Sequence, residues 1–203
     1  MLGCGNALIS QEMYDDGYQN ITNIDISQVV IDDMKERNVD RPNMTWEVMD
    51  VMKMSYEDNT FDIAIDKSTI DALLCGNASF LNVAKMTREV QRVVKTGGYY
   101  YVISYGRPDN RLLHFERAHL DFNITESTVS PASWKTDQEK KNKQHFIYNW
   151  QKGENWREKD AQNWDSVEEE LIKLAKGELE VDSEEEIIEK STVTVTEEPP
   201  VIG

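Results

Sequence analysis

The first ten residues, Met1-Leu2-Gly3-Cys4-Gly5-Asn6-Ala7-Leu8-Ile9-Ser10, constrain the fold more than any other stretch. An apolar pair runs into G-x-G and then into a helix-forming run, which gives the order strand, glycine turn, helix. That order lets a backbone lie against a nucleotide-like ligand and aims helix N–H groups at it. Gly3 and Gly5 lack a Cβ, so the turn can be tight. Only Met1 and Leu2 precede the turn, whereas a strand usually takes about five residues. The expectation is a central strand short at its N-terminal end. The groove beside it is then open, filled by another chain, or filled by polypeptide upstream of Met1.

Beyond the turn, the patterning alternates between helix and strand. Ala7 to Tyr14 reads as a helix closed by Gly17 at the usual position after a helix end. Ile21 to Asp25 is a short β-branched strand, and Ser27 is placed to cap a helix carrying Val30, Ile31 and Met34 on one stripe. Met44 to Met49 and Phe61 to Ile65 read as further strands. Ile70 to Leu74 is a short helix and Phe80 to Val94 a longer amphipathic one. Gly97-Gly98 breaks the chain before a strongly β-forming run, Tyr99 to Tyr105. Strands near Leu120 to Ile124 and at His145 to Trp150 complete the set. Such alternation predicts an α/β fold, an open sheet with helices on both faces.

Three of these strands end on carboxylates, Asp25, Asp50 and Asp66. Each alone is an ordinary turn former, and G-x-G alone is as often a structural turn as a binding one. Three acids at successive strand ends beside a glycine turn would line one crevice. An acid about twenty residues after the glycines can accept both hydroxyls of a ribose. A nicotinamide enzyme would more often show G-x-G-x-x-G, and Leu8 occupies the last position here. Clustered carboxylates repel phosphate and favour a cationic ligand. S-adenosylmethionine is one, with its sulfonium and ammonium.

Composition narrows the class. Of the 203 residues 38 are acidic and 22 basic, for a net charge of -16. Residues 153–203 hold 16 Asp and Glu against 5 Lys and Arg, and so carry most of that charge. A surface of this sign is unsuited to nucleic acid, whose phosphates need basic partners. No apolar run reaches the roughly 18 residues of a membrane span. Two cysteines, Cys4 and Cys75, form neither a disulfide framework nor a zinc-site spacing, which points to a reducing compartment such as the cytoplasm. His114, His119 and His145 are too scattered for a metal site.

Together these residues resemble the class I S-adenosylmethionine-dependent methyltransferases, in particular the group containing lysine methyltransferases of translation elongation factor 1A. That group has a glycine motif like Leu2-Gly3-Cys4-Gly5-Asn6 and an acid-x-Ser like Asp25-Ile26-Ser27. It has Trp-x-x-Met-Asp-Val, like Trp46 to Val51, then Phe-Asp, like Phe61-Asp62. It also has Asp-Lys-x-Thr-x-Asp-Ala-Leu, like Asp66 to Leu73. The likeness covers residues 1–152. It implies a Rossmann-like sheet and S-adenosylmethionine as cofactor. Gly3, Gly5 and Asn6 would meet its methionine part, and Asp25, with Ser27 beside it, the ribose. Asp50, with Val51 nearby, would meet the adenine amine. Asp66 and Lys67 would face the methyl group and the substrate entrance, Lys67 as an orienting or ion-paired group rather than a base. Two departures are visible: Ala7 stands where the group often has Ser, and the lid helix and most of the first strand have no counterpart.

The implied function is methyl transfer to a protein lysine. The alternative is a catalytically inactive methyltransferase-fold subunit within a larger protein assembly. Residues 1–152 form the methyltransferase-like domain in this reading and residues 153–203 an acidic extension of helix plus extended segment. The extension is expected to reach away from the domain and to be ordered by another protein. Val167, Leu171 and Leu174 would supply its docking stripe, and Thr192 to Thr196 a strand for an exposed sheet edge.

Overall fold

The computed structural model of the chain describes residues 1–129 and 145–179. Its elements are α1 (Ile9–Asp15), β1 (Ile21–Asp25), α2 (Gln28–Arg37), β2 (Met44–Val48), β3 (Phe61–Lys67), α3 (Thr69–Leu74), α4 (Ser79–Val93), β4 (Val94–Ser104), β5 (Phe122–Val129), β6 (His145–Lys152) and α5 (Trp156–Ala175). β1 pairs with β2 in parallel, and β3 with β4 in parallel. Two antiparallel pairings then give the order β3-β4-β6-β5.

The first four residues join the two pieces. Leu2 N–H donates to Ile65 O at 2.8 Å, Ile24 N–H to Met1 O at 3.0 Å and Cys4 N–H to Ile24 O at 2.9 Å. Met1 to Cys4 therefore occupy the central position between β1 and β3. The Met1 ammonium donates to Thr22 O at 2.7 Å, and burial lowers its pKa to about 6. Beyond it the groove is open. A cavity of about 500 Å³ lies there, lined by Met13, Ile21, Thr22, Phe61 and Ile63 among others. Ile63, apolar and in mid-strand, is 47% exposed as a result.

Helices flank the sheet as the patterning predicts. Cys4, Ile21, Met44 and Trp46 pack with Ile31 and Met34 of α2. Ile24, Ala64, Tyr100 and Val102 pack with Val83, Val90 and Val93 of α4, in a second cluster. The α4 stripe works because its apolar residues recur three and four apart on one face. Two details differ from the sequence reading. β4 begins at Val94, so Gly97 and Gly98 sit inside the strand, beside a register shift opposite Phe61 and Ile63. A Cβ on Gly98 would lie 2.6 Å from Asp62 O, so Gly98 permits close strand approach, while Gly97 takes the positive φ of 75° that the irregularity needs.

The second difference corrects the expectation that the chain leaves the domain after residue 152. α5 packs on α4, burying Trp164, Val167 and Leu171 against Ala84, with Phe80 and Leu81 alongside. Arg88 grips Asp160 through two hydrogen bonds of 2.6 and 2.8 Å, and its guanidinium lies 4.3 Å above the Trp164 ring. Lys152, almost fully buried, donates to Val94 O and Asn59 Oδ1 and lies 3.9 Å from the Trp156 ring. The physical reason is the pair of tryptophans, which extends the narrow stripe of Val167, Leu171 and Leu174 by more than two turns. Thr192 to Thr196 and Glu184 to Glu186 lie outside the described residues. No helix among those described is long and apolar enough to cross a membrane.

Limited proteolysis of the wild type should accordingly yield a fragment that retains Trp156–Ala175. Trp164→Ala should lose about 3–5 kcal/mol of packing and become cleavable between β6 and α5. A wild-type cut at Gly153 would show instead that α5 is not docked.

Candidate active site

At the carboxyl ends of the strands the glycine turn meets the acid of β1. Gly3 and Gly5 have φ of 53° and 52°, a region that residues with a Cβ enter at a cost of roughly 1–2 kcal/mol. The two glycines have different tasks. A Cβ on Gly3 would come within 2.4 Å of Thr69 Oγ1, whereas one on Gly5 would meet nothing within 4 Å. Gly5 therefore presents bare backbone to open space, and Gly3 packs against the start of α3. Thr69 is a site residue that the sequence reading missed; its hydroxyl donates to Leu2 O at 2.8 Å and closes the turn.

Asp25 is locked in place. Its Oδ2 accepts from Gly5 N–H at 2.9 Å and its Oδ1 from Ser27 N–H at 2.9 Å. An ionised carboxylate has about four acceptor sites, so each oxygen can take one more donor. Two adjacent hydroxyls of a ribose match that capacity. Ser27 spends its side chain as the N-cap of α2, accepting from Val30 N–H at 3.4 Å. Asn6 is exposed just past Gly5.

The end of β2 lies beside the end of β1, because Met49 N–H donates to Asp25 O at 2.9 Å. Asp50 follows and accepts from Met52 N–H at 2.8 Å through one oxygen. Val51 has its side chain in the core, so contact with a ligand falls to its main chain. Cys4 is buried, and burial followed by the nearby Asp25 charge raises its thiol pKa to about 11. It fills the turn and is no nucleophile.

Asp66 requires a correction. The resemblance places it facing the transferred methyl group, but it is fully buried. Its carboxylate accepts from Thr69 N–H at 2.7 Å, Ile70 N–H at 3.0 Å and the Tyr100 hydroxyl at 3.2 Å. Burial raises its pKa to about 7 against the pull of these bonds. Asp66 caps α3 and holds the β3–α3 turn, where Ser68 has a positive φ of 67°. It supports the site from beneath. Lys67 is exposed at the strand end and forms no ion pair among the described residues. Glycine backbone, Asp25, Asp50 and Lys67 thus share the carboxyl edge, while Asp66, Thr69 and Tyr100 form the support beneath.

A methyltransferase-domain profile matches residues 1–102, half of the chain and the whole of this glycine-turn and acid arrangement. The chain belongs to the class I S-adenosylmethionine-dependent methyltransferase family. It is 46% identical over 107 residues to the mouse protein described as eEF1A lysine and N-terminal methyltransferase, which covers 51% of this chain and 15% of that protein. It is 31% identical over 138 residues to mouse EEF1A lysine methyltransferase 4, covering 64% of this chain and 54% of that one. The chain thus spans about half the length of the second relative and far less of the first. In fold it is similar to the geranyl diphosphate C-methyltransferase from Streptomyces coelicolor A3(2), a structure with S-adenosyl-L-homocysteine. That match has a TM-score of 0.54 and 14% identity, over 74% of this chain and 70% of the other. The cofactor of the family is S-adenosylmethionine, and the Gly5 backbone and the two half-filled oxygens of Asp25 fit it.

Proposed function

We propose that the chain transfers a methyl group from S-adenosylmethionine to a lysine of a protein. The observation that carries the cofactor half is Asp25, fixed by Gly5 and Ser27 with one acceptor position open on each oxygen. The acceptor half draws on the relatives, two of which are described as acting on lysine of eEF1A. Bound S-adenosylmethionine would supply an electrophilic methyl group: once the incoming lysine ammonium has lost a proton to water, its lone pair would displace the sulfur in line, the C–N bond forming as the C–S bond breaks and its electron pair stays on sulfur. Such a transfer needs no strong base. The protein supplies alignment and exclusion of water, and Asp66, closed in by three donors, takes no part in proton transfer.

A second reading is a non-catalytic subunit that keeps the fold for assembly. Titration calorimetry with S-adenosylmethionine, followed by incubation with elongation factor 1A and mass spectrometry of its lysines, separates the two. Micromolar binding and a lysine gaining a methyl group are expected. Binding without transfer to any lysine would favour the second reading, and absence of binding would defeat the first.

A further inference from the structure

The segment that leaves β4 is held more firmly than a surface loop needs. Ser104 is fully buried. Its hydroxyl donates to Asp71 Oδ1 at 2.5 Å and accepts from Gly106 N–H and Arg111 Nε–H, both at 3.0 Å. Asp71, on α3, also accepts from Arg111 Nη2 at 2.7 Å and from Tyr105 N–H at 3.3 Å. On the other side, the Tyr148 hydroxyl donates to Gly106 O at 2.8 Å. A Cβ on Gly106 would lie 2.1 Å from the Arg111 guanidinium carbon, so glycine is what lets the clamp close.

The clamp leaves one large side chain outside. Tyr105 is 60% exposed, and its ring leans on His145 with centroids 4.2 Å apart. Among the described residues it contributes to none of the hydrophobic clusters. Its place in the sheet is informative. Lys67 is in register with Ile103, and Ser68 N–H donates to Ile103 O at 2.9 Å. Two residues further on, Tyr105 shares the sheet face of Ile103 and lies past the strand ends, at the edge that carries Asp25 and Lys67. An exposed aromatic ring at this carboxyl edge, one strand over from Lys67, is suited to a cation with an apolar stem, because its π face attracts an ammonium and its area packs methylenes.

We propose that Tyr105 is the acceptor-recognition residue of the site, its ring receiving the methylenes and ammonium of the incoming lysine, with Asp71, Ser104 and Arg111 as positioning residues. The proposal rests on the reading of the chain as a protein-lysine methyltransferase. It is testable without catalysis. The chain, loaded with S-adenosylhomocysteine, is titrated with Nα-acetyl-lysine methylamide at millimolar concentration and followed by NMR. Wild type and Tyr105→Phe should bind alike, Tyr105→Ala about twofold to fivefold more weakly, and Arg111→Gln in between. S-adenosylmethionine affinity should be unchanged in all four. Equal binding by Tyr105→Ala, or no binding by the wild type, overturns the assignment, as does a Phe variant as weak as Ala. Methylation assays on the same proteins keep the two questions apart. Lysine binding through Tyr105 without methyl transfer would sink the enzymatic reading and leave the site standing. Transfer to lysine that Tyr105→Ala leaves untouched, in rate and KM, would do the reverse.

Discussion

Gly3→Ala should destabilise the protein by about 2–5 kcal/mol, from a left-handed backbone that a Cβ disfavours and a steric clash in a packed turn. The backbone sits at φ 53°, and the new methyl would stand 2.4 Å from Thr69 Oγ1 and 2.9 Å from its Cγ2. For a chain of this length each kcal/mol is worth roughly 2–4 °C in Tm, so a drop of about 4–20 °C is expected. The two causes can be separated. Thr69→Ala removes the clash along with the bond to Leu2 O, a loss of about 1 kcal/mol by itself. In the double variant the steric part should vanish and the backbone part persist, so the two changes should sum to less than their separate costs. Thermal melts of the three variants beside the wild type decide it. Strict additivity would show that Thr69 is not what Gly3 makes room for. Gly5→Ala gives the contrast: the same backbone cost without a clash, and a methyl group projecting into the open space beside Asp25.

Asp25→Ala should weaken S-adenosylmethionine binding by about thirtyfold or more. Hydrogen bonds to a charged acceptor are worth roughly 1.5–3 kcal/mol each, and tenfold corresponds to about 1.4 kcal/mol. The variant also frees Gly5 N–H and Ser27 N–H, both now held at 2.9 Å, so the turn loses its anchor together with the ligand's acceptor. Asp25→Asn keeps one oxygen and should fall in between. Asp66→Asn should behave in the opposite sense, losing stability through bonds to Thr69, Ile70 and Tyr100 while S-adenosylmethionine affinity holds. Calorimetry with a melt on each variant reads both quantities. Unchanged affinity in Asp25→Ala would remove it from the site, and a large affinity loss in Asp66→Asn would restore Asp66 to it.

The features legible in the chain by itself are those whose physics is local. Strand ends, glycines about to take positive φ, the Ser27 cap and the apolar stripe of α4 each involve groups a few residues apart. The position of Asp25 beside the glycine turn was readable for the same reason, since it follows a strand about twenty residues beyond that turn. The resemblance of Asp66 to Leu73 to a known motif supplied the family and misdirected one role. Whether Asp66 faces a ligand or the interior depends on α3 folding back over it and on a Tyr100 hydroxyl 34 residues away.

What only the tertiary structure decided shares that character. Thr69 against Gly3, with its hydroxyl on a carbonyl 67 residues earlier, has no periodicity to announce it. Neither has the Asp71–Arg111 pair, 40 residues apart. The docking of α5 needed Trp164 to find Arg88 and Ala84 on another helix, and an acidic average hid it, because charge describes the exposed face and burial is settled by the other one. Short-range order is set by covalent geometry and spacing; which polar group is sealed in and which is left to a ligand is set by what arrives from elsewhere in the chain.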